Sequence, residues 1–168
     1  KENIHKYNGD KEKIGITGDS AGACICAMIL NLGNKIGKKE DFEKDYAFEP
    51  TYLPEDLSLE EVSKKNLLDV KAAVLSYGAY DFYKFALQKF ETYKNIFWWL
   101  ALSKPRGVLG EKYNHIDHPE IYKAISPIYN IPDVSKRKLP PQLLTAATRD
   151  RITPVSYTHL TLPTRYRV

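Results

Sequence analysis

Gly18, Ser20 and Gly22, within Gly18-Asp19-Ser20-Ala21-Gly22, form a glycine-x-serine-x-glycine triplet whose types and spacing could do chemistry. A serine hydroxyl is a weak nucleophile until its backbone is bent to push Oγ clear of its neighbours and a base can reach it. At average composition such a triplet arises by chance in roughly one chain in twenty of this length, so its setting decides its worth. Just before it, Lys13-Ile14-Gly15-Ile16-Thr17 has the composition of a buried strand; just after it comes an apolar helical run from Ala21 to about Leu32. Strand, sharp turn and helix is the setting in which such a serine attacks carbonyl carbon. Glycine is expected at both flanks, because a side chain there would meet neighbouring backbone. The helix N-terminus brings a positive dipole end, and the Ala21 N–H is the expected donor to the oxyanion formed on attack.

Asp150 is the second candidate. It follows Gln142-Leu143-Leu144-Thr145-Ala146-Ala147, a strand introduced by Pro140-Pro141, and sheet enzymes place catalytic groups just past the carboxyl ends of strands. There it would hold a histidine in the right tautomer and stabilise its cation; the chain order, serine before aspartate, also suits such an architecture. A solvated loop aspartate paired with Arg149 or Arg151 is the competing reading. Asp81 also follows a strand, but is expected to cap or turn the chain. Phe97-Trp98-Trp99-Leu100 is expected to pack in a core or lid. His115 and His118 are expected to be solvated rather than metal-bound.

Positioning these residues requires a parallel sheet. Val70 to Tyr77 supplies a further buried strand, so three strands alternate with helical or irregular crossovers, the pattern of an α/β fold. Within the first helix Ile25, Met28, Ile29 and Leu32 fall at helical spacing, and Gly33-Asn34 is the expected stop. Residues 35–63 are charged, carry Pro50 and Pro54, and are expected to be surface loop with one short helix. From Asp81 to about Leu102 the chain is aromatic and helix-compatible. A loop with Pro105, Gly107 and Gly110 follows, then a short helix from His118-Pro119 to Ala124 and a turn at Ser126-Pro127.

Composition excludes several classes. In 168 residues, 43% hydrophobic content supports a core, and a 27% charged fraction with a net charge of +4 is unlike a disordered chain. The 25 Lys and Arg are interspersed with 21 acids, so no basic face for nucleic acid emerges. No window approaches the roughly 18 apolar residues of a membrane span, and the first residues lack the basic-then-apolar layout of a signal peptide. Cys24 and Cys26, two apart in a helix, are expected to be small core residues, neither a disulfide nor a metal site.

Taken together, Gly18-Asp19-Ser20-Ala21-Gly22, Leu75-Ser76-Tyr77-Gly78-Ala79-Tyr80-Asp81, Ser126-Pro127, Leu139-Pro140-Pro141-Gln142-Leu143-Leu144 and Thr148-Arg149-Asp150 resemble the hormone-sensitive-lipase-like branch of the α/β-hydrolases, which includes bacterial carboxylesterases and acetyl esterases. The match runs from about Ile14 to Ile152; Ala147 departs from it, standing where the family usually has glycine. The resemblance implies a partial α/β-hydrolase fold over 1–154, with a lid-like helical insertion at about 82–125. It implies a serine esterase for small or short-acyl esters, with Ser20 as nucleophile, Asp150 as triad acid and Ala21 as oxyanion donor. The partner would be a small-molecule ester, and no cofactor or metal is needed. A ligand receptor that has lost catalysis and a serine peptidase relative are the alternatives.

The family's His-Gly-Gly-Gly oxyanion loop lies upstream of its serine, and its catalytic histidine some tens of residues beyond its aspartate. The chain is therefore expected to be an internal fragment, inactive by itself. The stretch Val155-Ser156-Tyr157-Thr158-His159-Leu160-Thr161-Leu162-Pro163-Thr164 resembles translated sequencing adapter, so 155–168 is expected to be a non-native tail. His159, inside it, is not taken as the catalytic base.

Overall fold

The computed structural model describes residues 3–33, 53, 57–65 and 69–150. Three parallel strands, β1 (Gly15–Asp19), β2 (Ala72–Ser76) and β3 (Gln142–Thr145), lie in the order β1-β2-β3. Gly15 to Asp19 pair with Ala72 to Ser76, and Ala73 to Ser76 pair with Gln142 to Thr145. The α/β class expected from the sequence is the class found. Strand β1 begins two residues later than its β-branched run and continues through Gly18-Asp19, because pairing with β2 carries weak strand formers as far as the turn. Strand β2 stops at Ser76, where Tyr77 turns to φ 39°.

Helix α1 (Ala21–Leu32) has the expected bounds, and Gly33, at φ 53°, ends it. Its buried face differs from the expected one. Ala23, Ala27 and Leu30 pack on Ala73, Leu75 and Tyr80, while Ile25 is 62% exposed and Met28, Ile29 and Leu32 are half-buried. Because α1 is apolar nearly all round, several stripes have helical spacing; the small Ala23 and Ala27 are the ones that let a helix lie close on a sheet. Cys24 is buried and Cys26 half-buried, and neither is in a disulfide. The opposite face of the sheet carries Thr17, Val74 and Leu143 in register, all exposed among the described residues.

The helix-compatible aromatic stretch after Asp81 forms two short helices, α3 (Phe82–Leu87) and α4 (Ile96–Leu100). Each ends in a left-handed residue, Lys89 at φ 68° and Leu102 at φ 49°. Paired hydrogen bonds close both ends: Phe90 N–H to Phe85 O with Lys89 N–H to Ala86 O, and Ser103 N–H to Trp98 O with Leu102 N–H to Trp99 O. This is the Schellman pattern, and at α3 the Phe85 and Phe90 rings stack at 3.9 Å to supply its usual apolar contact. Trp98 is buried and donates through Nε1 to Phe90 O at 2.5 Å, whereas Trp99 and Leu100 are exposed. The expected short helix is α5 (Pro119–Ala124), and the Ser126-Pro127 turn opens a 3-10 helix, Pro127–Asn130. Helix α2 (Leu59–Lys64) lies in the expected loop region. The rest of that region, apart from residues 53, 57 and 58, and the adapter-like stretch with His159 fall outside the described residues.

Candidate functional site

Strand β1 delivers the chain to Ser20, and α1 begins at Ala21, so the turn between them has no spare residue. Ser20 takes φ 49° and ψ −119°, a backbone conformation that L residues rarely adopt. Hydrogen bonds at both its N–H and its carbonyl hold it there. Its N–H donates to Ser76 O at 2.9 Å, extending the β1–β2 ladder one step, and its carbonyl accepts from Ala23 N–H at 3.1 Å, starting the helix. Its side chain is exposed and makes no capping hydrogen bond to the helix it precedes. A serine at a helix start usually spends its hydroxyl on that cap; here Oγ is left for other chemistry.

Of the two flanking glycines, both expected to be forced by neighbouring backbone, only Gly18 is. A Cβ on Gly18 would stand 2.5 Å from the backbone carbon and oxygen of Gly22 and 2.8 Å from Ala23 N, so the strand and helix meet too closely for any side chain. At Gly22 a Cβ would meet nothing within 4 Å. Among the described residues the expected collision is therefore confined to Gly18: the contact is made by the backbone of residue 22, not by what its Cα carries. Ala21 is the first residue of α1, where a backbone N–H has no acceptor within the helix and remains available to an anion.

Asp150 lies beyond the carboxyl end of β3, in a turn closed by its N–H on Ala147 O at 3.2 Å. Ser20 and the segment that carries Asp150 both follow the carboxyl ends of their strands, β1 and β3, which lie two strand spacings (~10 Å) apart across β2. Asp81 is engaged elsewhere. Its Oδ1 accepts from Lys84 N–H at 2.9 Å as the cap of α3, and its Oδ2 accepts from Tyr129 OH at 3.4 Å. The expectation that Asp81 is a cap is met. His115 and His118 are not solvated as expected. Both are half-buried: His115 Nδ1 stands 3.4 Å from Glu91 Oε2, and its ring lies edge-on to Tyr122, while His118 lies edge-on to Tyr113. Glu91 Oε1 also accepts from Val108 N–H at 2.6 Å and Tyr122 OH at 2.8 Å, binding three segments of the 82–125 region together.

Two side-chain roles were not legible in the sequence. Ser126 is wholly buried; its hydroxyl accepts from Phe82 N–H at 2.8 Å and donates to Tyr122 O at 2.6 Å, tying α5 to the start of α3. Tyr77, the residue after β2, donates its phenol to Asp19 Oδ2 at 2.9 Å, beside the Ser20 turn. Neither role leaves a trace in residue type or spacing.

A cleft of about 990 Å³ lies elsewhere, between the C-terminal end of α1 and the approaches to β2 and β3, lined by Asn31, Val70, Ile131, Arg137 and Pro140 among others. It is at the amino ends of the strands, separated from Ser20 by the ~18 Å length of a twelve-residue helix. The Ser20 turn is at the other end.

A serine strained at a strand-to-helix corner over a parallel sheet defines an α/β-hydrolase-type domain. More specifically, residues 1–162 match the BD-FAE family, and the chain belongs to it; the family is an α/β-hydrolase-like esterase family. No curated protein and no solved structure matches the chain.

Proposed function

We propose that the protein is a serine carboxylic ester hydrolase for small or short-acyl esters, of the hormone-sensitive-lipase-like kind that its motifs resemble. The observation that carries this reading is the backbone of Ser20, φ 49° and ψ −119°, with the side chain exposed and uncommitted to the α1 cap. In this reading Ser20 Oγ attacks the ester carbonyl, and the developing oxyanion is met by the Ala21 N–H at the positive end of α1. A histidine oriented by Asp150 takes the serine proton and passes it to the leaving alcohol; water then releases the acyl-enzyme by the same route. The resemblance puts the base on a histidine some tens of residues beyond Asp150, so neither His115, beside Glu91, nor His118, edge-on to Tyr113, is given that role. Nothing in these steps calls on a metal or an organic cofactor.

The test is labelling by a fluorophosphonate probe together with hydrolysis of a short-chain nitrophenyl ester by the intact protein. Probe adduct on Ser20, and a loss of roughly four orders of magnitude or more in kcat in Ser20→Ala, are expected. Asp150→Asn should lower kcat by at least about a hundredfold, with smaller change in KM. Hydrolysis undiminished in Ser20→Ala would end the proposal. Tight binding of an ester without turnover or probe adduct would instead identify a ligand receptor.

A further inference from the structure

Two non-glycine residues at the carboxyl edge of the sheet take left-handed backbone angles, Ser20 after β1 and Tyr77 after β2. They leave neighbouring strands at the same level, since Asp19 and Ser76 are register partners. Each is pinned by its N–H to the adjacent strand's side: Ser20 to Ser76 O at 2.9 Å, and Tyr77 to Thr145 O at 2.7 Å. The Tyr77 phenol then reaches back across the β1–β2 seam and donates to Asp19 Oδ2 at 2.9 Å, one residue before Ser20. A positive φ is unfavourable for a residue that carries a Cβ. Here that conformation places the phenol on the residue leading into the turn. Consistent with a phenol donating to a carboxylate, Tyr77 is held above the usual tyrosine range, chiefly by the hydrogen bond to Asp19.

We propose that Tyr77 is a positioning residue for Ser20, its phenol bracing Asp19 across the β1–β2 seam so that the turn keeps Oγ presented for attack. The proposal rests on the reading of Ser20 as nucleophile. The brace acts on the turn, not on the substrate, so its loss should fall on kcat and on probe labelling rather than on KM. In the intact protein, Tyr77→Phe and Asp19→Ala should each lower kcat for a short-chain nitrophenyl ester, and the rate of fluorophosphonate labelling, by about tenfold, the worth of one hydrogen bond. KM and the thermal midpoint should stay near the parent's. Asp19→Asn, which keeps an acceptor oxygen, should recover most of the loss, and the double variant Tyr77→Phe/Asp19→Ala should be no worse than either single one.

Ser20→Ala is measured alongside. Where it abolishes turnover and Tyr77→Phe leaves kcat and labelling within twofold of the parent, the brace is overturned and the nucleophile stands. Where Ser20→Ala leaves turnover intact, both are overturned. A rise in KM with kcat unchanged, or additive losses in the double variant, also counts against the brace, since Tyr77 would then be acting on substrate or independently of Asp19.

Discussion

Gly18 and Gly22 look equivalent in the triplet, yet only Gly18 is forbidden a side chain by what surrounds it, with backbone atoms 2.5 Å from where Cβ would stand. Gly18→Ala should therefore abolish probe labelling of Ser20 or prevent accumulation of folded protein, while Gly22→Ala retains labelling within about tenfold, a substitution in the first turn costing little where space is open. Cys24 gives a prediction with a defined pH window. Burial raises its thiol from an ordinary 9.0 to about 11. The folded state therefore keeps the neutral thiol where the unfolded chain has lost its proton. The resulting contribution is fully present below pH 9 and is lost as pH rises toward 11, worth at most about 3 kcal/mol. Urea midpoints measured from pH 8 to 11 should fall less steeply in Cys24→Ala than in the parent, and iodoacetamide should leave Cys24 of the folded protein unmodified at pH 8.

At the scale of elements, the sequence shows no break between α3 and α4, because every residue between them is compatible with a helix and no glycine or proline stops the run. The break is made by packing. Phe90 stacks on Phe85 and accepts from the Trp98 indole, and both contacts require Lys89 to take a left-handed angle for which its type gives no sign. The same holds at Leu102, which is 95% exposed and gains no burial from the conformation. Leu102→Gly should raise stability by about 1 kcal/mol, a rise of roughly 2–4 °C in thermal midpoint for a chain of this size. Ser126→Ala, in contrast, strands the Phe82 N–H and Tyr122 carbonyl in a buried place and should cost about 1–3 kcal/mol by the same measurement.

Across the whole molecule, α1 is fixed at both ends by distant chain. Its N-terminus is tied to β2 through Ser20 and Ser76, and its C-terminal carbonyls Leu30 O and Asn31 O accept from the Arg137 guanidinium, more than a hundred residues away in sequence. Asn31 adds a bond from Nδ2 to Pro127 O at 2.7 Å. A cation at the negative end of a helix dipole that also meets unpaired carbonyls is favourable on both counts. Arg137→Ala should lower the denaturation midpoint by the equivalent of about 1–3 kcal/mol, with Arg137→Lys recovering only part, since one ammonium cannot match the fork.

The sequence by itself determined the strand-turn-helix around Ser20, the three strands of a parallel sheet, the bounds of α1 and α5, and the capping role of Asp81. These rest on interactions between residues close in the chain: β-branched runs, glycine at a corner, a carboxylate accepting from the first turn after it. Tertiary structure decided which stripe of α1 is buried, where the aromatic stretch breaks, why Gly18 and Gly22 differ, and which side chains brace the turn. Each of those depends on atoms brought together from tens of residues apart, Tyr77 on Asp19 or Arg137 on Leu30. A local pattern carries no term for that distance, because the free energy that selects the contact exists only once the sheet has formed.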